Sequence, residues 1–150
     1  MYNYFGSFGS QQEEVCYQIQ LLSLILPNAV LDVPFGGKIA YYPYVIVELS
    51  NVGGSSAGMK NIIYTNNPNV VKALFIVPIT DINDPASSSF IHLYGSGMVQ
   101  TVKFKPNDNL RFVVKLPNGH IFKTIVEENY SPLPPNPLNQ ISATFGLKRL

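Results

Sequence analysis

MVQTVKFKPNDNLRFVVKLPNGHIFKT, residues Met98 to Thr124, decides the fold class, because three β-strand patterns and two tight turns follow one another in it without a break. Leu110, Phe112, Val114 and Leu116 alternate with Arg111, Val113 and Lys115, giving a strand one nearly unbroken apolar face and one mixed face. Such a strand lies on a core and keeps its other side partly wet. Pro117-Asn118-Gly119 then supplies what a two-residue type I′ turn asks for, since Asn and Gly accept positive φ at little cost, and a hairpin is expected. Upstream, Val102 and Phe104 alternate with Lys103 and Lys105 until Pro106-Asn107-Asp108-Asn109 breaks the run with turn-forming side chains. Nothing in the stretch is catalytic in type, so its bearing on function runs through architecture.

Downstream, Asn129–Asn136 (NYSPLPPN) reads as extended polyproline-like chain. It matches a PxxP adaptor ligand, but a strand resumes at once, which favours a stiff crossing between sheets. That strand is Asn139–Leu150, where Ile141, Ala143, Phe145 and Leu147 alternate with Gln140, Ser142, Thr144 and Lys148. Before the opening stretch, Phe90–Tyr94 is a brief strand and Gly95-Ser96-Gly97 a break. Val70–Pro78 (VVKALFIVP) is apolar on both faces and is expected at the centre of a sheet, covered on both sides. Asn61–Thr65 reads as a short strand. In Ala40–Ser50 (AYYPYVIVELS), Val45, Val47 and Leu49 alternate with Ile46, Glu48 and Ser50, and Pro43 fits a strand start or edge. Tyr41, Tyr42 and Tyr44 read as packing residues, with ligand stacking the alternative.

Two patterns compete in Val15–Leu26 (VCYQIQLLSLIL). Val15, Ile19, Leu22 and Leu26 recur at helical spacing after a Ser10/Glu13 capping box, whereas Val15, Tyr17, Ile19 and Leu21 alternate with Cys16, Gln18 and Gln20 and end at Pro27-Asn28. The strand is favoured. Residues 1–14 hold Tyr2, Tyr4, Phe5 and Phe8 among Gly and Ser, and read either as an aromatic arm that docks on a neighbour or as a frayed or self-covering terminus. With eight or nine short strands, no convincing long helix and no repeat, the expected fold is all-β. It is a single jelly-roll sandwich of about eight antiparallel strands in two sheets, over residues 15–150, preceded by the arm. One tension accompanies this: jelly-roll strands often cross between sheets, while an Asn-Gly turn wants its strands adjacent, so the turn is a corner or the topology is modified.

At 150 residues the chain is long enough for one core that buries roughly two-thirds of its unfolded surface. The single cysteine, Cys16, rules out an intrachain disulfide and a cysteine-rich zinc site, and is expected as a small buried apolar residue. No basic-then-apolar leader and no apolar run of about 18 residues occurs, so a soluble chain made in a reducing compartment is expected, with no direct membrane insertion. A net charge of +1 with scattered lysines does not favour nucleic acid as a partner. Charged residues make up 13%, about half of the ~25% usual for soluble domains, and Asn, Ser, Thr and Gln take their place. Such a surface is expected to be covered by neighbouring subunits; a monomer solubilised by Asn and Ser is the alternative.

The chemistry of a site is missing from the motifs. His92 and His120 have no second histidine or carboxylate at ligand spacing, and Glu48, Asp81, Asp84 and Asp108 fall in separate strands or turns, so neither a metal nor another cofactor is expected. There is no G-x-S-x-G elbow, and Gly95-Ser96-Gly97 is not followed by a helix that would make a phosphate cradle. Glu13-Glu14 and Glu127-Glu128 are adjacent pairs, which a strand points to opposite faces, unsuited to paired acid–base work. The expectation is a protein that is not an enzyme.

The succession YYPYVIVELSN, IYTNNPN, QTVKFKPNDNLRFVVKLPNG and SPLPPNPLNQISATFGLKRL, spanning residues 40–150, resembles the small single jelly-roll capsid proteins of nucleocytoplasmic large DNA viruses, in particular the penton protein of the fivefold vertices. The resemblance implies a structural virion protein that forms a homopentamer. Its implied neighbours are trimers of the major capsid protein and minor capsid proteins at the vertex, in a capsid assembled in the host cytoplasm. Alternatives are a minor capsid or vertex-spike jelly roll and a non-viral carbohydrate- or peptide-binding sandwich. On this reading Tyr2, Tyr4, Phe5 and Phe8 are arm contacts. Lys103, Lys105, Arg111 and Lys115 form a charged outer sheet face that touches a neighbour, while Val102, Phe104, Leu110, Phe112 and Val114 pack inward.

Overall fold

The computed structural model describes residues 2–3, 14–34, 36–51, 65–70, 72–79, 89–105 and 109–150. Among them run eight strands: β1 (Tyr2–Asn3), β2 (Val15–Pro27), β3 (Tyr44–Asn51), β4 (Phe75–Pro78), β5 (Phe90–Tyr94), β6 (Val99–Phe104), β7 (Leu110–Lys115) and β8 (Ser142–Arg149). All pairings are antiparallel. One sheet has the order β1-β7-β3-β4; the other is built on β2, with β8 along one side and β5 and β6 along the other. The two inner faces meet in one core, where Val45, Val47, Phe112 and Val114 of the first sheet oppose Ile19, Leu24, Val102 and Phe104 of the second. Alternation explains both faces, because side chains two apart on a strand share a side.

β2 resolves the competition between helix and strand, and shows why both patterns were present. Tyr17, Ile19 and Leu21 are buried, and so are Leu24 and Leu26, a set out of step with the first. The register against β8 shifts between Leu21 and Ser23, so Leu22 is an extra residue, a β-bulge. The bulge adds one residue to the period of two, and this is what imitates helical spacing. Leu22, which a helix would bury, is 45% exposed.

Along the opposite side of β2, β5 pairs with Ser23–Pro27 and β6 with Val15–Gln20, so the two strands lie end to end. Gly95–Met98 forms the irregular joint between them. Gly95 N donates to Leu22 O at 3.2 Å, and a Cβ on Gly95 would lie 1.7 Å from Leu21 O.

Four expectations are corrected. First, Val99–Phe104 and Leu110–Lys115 do not share a sheet, as one charged outer face across them required: β6 belongs to one sheet and β7 to the other, and the connection between them crosses the sandwich. Second, the turn after β7 is centred on Pro117-Asn118, since Gly119 N donates to Leu116 O (2.9 Å) and Leu116 N to His120 O (2.8 Å). Proline's fixed negative φ suits the first central position of a type I turn, and Gly119 (φ 90°) follows as the left-handed bulge residue. Against β7 the returning arm makes the isolated Lys115–Ile121 bridge and not a strand.

Third, VVKALFIVP is not a central strand. β4 spans only its last four residues and, among the described residues, pairs with β3 alone, at the edge of the sheet. Its second apolar face is explained by the residues before it: Val70 and Ala73 fold over the outer side of the sheet and bury Ile46. Fourth, the Asn129–Asn136 segment is not extended throughout, because Leu133 N donates to Tyr130 O (2.9 Å) in a turn whose Ser131–Pro132 bond is cis. In addition, β3 begins at Tyr44 after a 3-10 turn at Ile39–Tyr41, and Cys16 is half-buried, not buried. The short strand expected at Asn61–Thr65 lies outside the described residues except for Thr65.

Candidate functional site

The eight residues expected at a partner contact are not gathered on one face. Tyr2 pairs through its backbone with Arg111 in β1–β7 of the same chain; Tyr4, Phe5 and Phe8 lie outside the described residues. Lys103 and Lys105 are exposed on the outer side of the β2 sheet, whereas Arg111 and Lys115 lie on the outer side of the other sheet. The single charged face is therefore corrected to two opposite ones. The cause is the crossing between β6 and β7, which reverses the direction in which the outward residues of each strand point.

On the first sheet, Lys115 Nζ is 2.8 Å from Glu48 Oε2, and Lys72, Arg111, Val113 and Ile121 complete a shallow groove around the pair. The other outer face is uncharged in the middle of β2, where Gln18 and Gln20 stand beside Thr101 and Gly146, and carries Lys103 and Lys148 on the strands flanking the start of β2.

The two ends of the sandwich differ more. At one end lie β1, the start of β2 and the end of β8, where Leu150 N donates to Cys16 O (3.1 Å). The opposite end carries the long connections, residues 28–43 and 116–141. These are tied to each other by the Leu31–Thr124 bridge and by Ile125 N donating to Val30 O (3.0 Å).

Glu128 organises this loop end. Its carboxylate accepts from the backbone N–H of Asn136 and Asn129 and from Asn139 Nδ2. Asn136 Nδ2 donates to Glu127 O (2.9 Å), Asn129 Nδ2 to Pro134 O (2.9 Å), and Thr124 Oγ1 to Asn139 Oδ1 (2.9 Å). The Asn136 and Asn129 amide bonds, in that order, favour the charged form and hold the Glu128 carboxyl below its ordinary value. A loop fixed in this way presents Ile125, Tyr130, Leu133 and Leu138 outward, with Tyr130 85% exposed. Side chains of this size, ordered by a polar scaffold and left in water, make this end the candidate contact surface. Alternation could not reveal it, because the bonds span irregular separations; the one visible signal was the density of Asn between Asn129 and Asn139.

His92 and His120 are both exposed, His92 stacked on Tyr94 with ring centroids 5.4 Å apart. Among the described residues no three His, Cys, Asp or Glu side chains are grouped to hold a metal ion, and no helix is long and apolar enough to cross a membrane.

No protein-family model and no solved structure matches the chain. It is 31% identical over 135 residues to "Uncharacterized protein 198R" of Invertebrate iridescent virus 6, a match covering 89% of this chain and 27% of that protein. It is 28% identical over 145 residues to "Uncharacterized protein 069L" of Invertebrate iridescent virus 3, covering 97% of this chain and 33% of that protein. The chain thus spans about a quarter to a third of the length of these relatives, which are proteins of large double-stranded DNA viruses.

Proposed function

We propose that the chain is a structural virion protein of a large double-stranded DNA virus: a penton subunit, a single jelly roll that closes as a homopentamer at the fivefold vertices of an icosahedral capsid. The observation that carries this reading is an antiparallel two-sheet sandwich matched along most of its length by proteins of two iridescent viruses. Among the described strands, five of the seven successive pairs lie in different sheets and two, β3–β4 and β5–β6, in the same one, a crossing habit in keeping with a jelly roll. A closed ring joins unlike flanks, and the sandwich offers unlike surfaces: a groove on one face where Lys115 pairs with Glu48, an opposite face with exposed Lys103 and Lys105 beside uncharged Gln18 and Gln20, and the apolar loop end. In this role the loop end meets another shell protein, with major capsid trimers and minor capsid proteins as the neighbours. Native mass spectrometry tests the reading. A species at five times the 16.6 kDa protomer mass is expected, and labelled protein located only at virion vertices. A strictly monomeric protein located away from the vertices overturns it.

A second reading, a minor capsid or vertex-spike component, is favoured by one observation: the relatives carry this sandwich as a minor fraction of much longer chains. It predicts location in the shell without pentamers.

A further inference from the structure

An open groove of about 520 Å³ runs along the loop end, and Asp32, Lys123, Ile125, Glu127, Glu128 and Tyr130 are among its walls. Its charge is one-sided. Three carboxylates line it against one ammonium, and that ammonium, Lys123 Nζ, lies 3.6 Å from Asp32 Oδ2. The two glutamates differ in what they still offer. Glu128 Oε1 accepts from the backbone N–H of both Asn129 and Asn136, and its Oε2 from Asn139 Nδ2 (3.3 Å), so most of its acceptor capacity goes to holding the loop. Glu127 enters that network only through its backbone carbonyl, which accepts from Asn136 Nδ2. Among the described residues its exposed carboxylate has neither a cation nor a hydrogen-bond donor.

Beside it stand apolar surfaces left in water: Ile125 is 60% and Tyr130 85% exposed. Both are fixed by their backbones, since Ile125 N donates to Val30 O and Tyr130 O accepts from Leu133 N. An uncompensated carboxylate and an exposed aromatic ring on one fixed groove are complementary to a guanidinium. That group is planar, stacks on an aromatic face, meets a carboxylate with two parallel N–H donors and brings a methylene stem for the apolar wall. An ammonium offers a point charge and no plane. Among the described residues the carboxylates are not grouped as metal ligands.

We propose that this groove docks an arginine of another protein, its guanidinium paired with Glu127 and stacked on Tyr130, its stem against Ile125. The inference rests on the loop end being the contact with a shell partner, and adds what that partner presents there. A second copy of the chain is the poorer occupant. Its Arg111 lies in the groove on a sheet face, and its Arg149 ends β8 at the far end of the sandwich, so copies would meet end to end and not flank to flank.

The probe is the peptide acetyl-Gly-Leu-Arg-Leu-Gly-amide, added to the purified protein at up to about 5 mM and followed by amide NMR shifts. Saturating shifts at Ile125, Glu127 and Tyr130 are expected. The same peptide with citrulline, which keeps the plane and loses the charge, is expected to bind at least about fivefold more weakly. Glu127→Gln should weaken the arginine peptide about fivefold without moving the unfolding midpoint, and Tyr130→Leu should remove its preference over a lysine peptide. No shift at these amides, equal binding of the citrulline peptide, or undiminished binding by Glu127→Gln overturns the proposal. So do shifts at Tyr130 that grow with protein concentration without peptide and vanish in Arg149→Gln, which would give the groove to a second copy. The two readings fail separately. If the peptide does not bind while replacing Tyr130, Leu133 and Leu138 by Ser still weakens assembly, the arginine falls and the contact stands; peptide binding with full assembly of that variant keeps the arginine site and removes the shell contact.

Discussion

A Cβ placed on Gly95 would stand 1.7 Å from the carbonyl oxygen of Leu21, in contact with backbone and not with a side chain that can swing away. The joint between β5 and β6 is possible only because residue 95 has no side chain, and because it is possible, β2 keeps both halves of its ladder. Gly95→Ala must open that ladder, and a loss of more than about 3 kcal/mol is expected from the displaced backbone. Urea unfolding measures it. A loss under about 1 kcal/mol would show that the joint adapts.

Gln100 is fully buried on β6, and its Nε2 donates to Leu74 O at 2.7 Å, tying the β2 sheet to the chain entering β4. Gln100→Ala leaves that carbonyl without this donor and opens space in the core. The expected loss is about 2–4 kcal/mol, with a fall in Tm of about 2–4 °C for each kcal/mol. A Tm unchanged by calorimetry would mean that this bond contributes nothing net.

Glu128 binds its loop in the charged state. Its pKa is lowered in the folded chain by the Asn136 and Asn129 amides, so the contribution is fully present above its ordinary value of 4.5 and is lost as pH falls through the lowered folded value. The amides of Asn129 and Asn136 should therefore shift together in an acid titration followed by NMR, while β3 and β7 amides do not. Glu128→Gln should remove that titration. Its persistence in the variant would assign the transition to another group.

Tyr130, Leu133 and Leu138 stand exposed on the loop that Glu128 holds, outside the core. Replacing all three by Ser should leave the unfolding midpoint within about 1 kcal/mol of the parent and weaken assembly with shell partners at least about tenfold. Full assembly by the triple variant in a pull-down from virion extracts would remove this end from the contact.

β3, β5, β6, β7 and β8 were legible as strands because alternation is local: each inward residue has its partner two positions away. β2 was legible only as a contest, since its bulge at Leu22 mixes two periods. What the amino-acid order by itself determined is thus the existence of these strands, the all-β class and the apolar side of each, but neither β1, which fell within the expected arm, nor the extent and place of β4. Which strands are neighbours was decided by the tertiary structure. A turn cluster such as residues 106–109 reads the same whether the next strand lies alongside or across the core, and that choice alone sends Lys103 and Arg111 to opposite faces. The loop around Glu128 is likewise a property of long-range hydrogen bonds, between residues as far apart as Thr124 and Asn139, and no local pattern carries that.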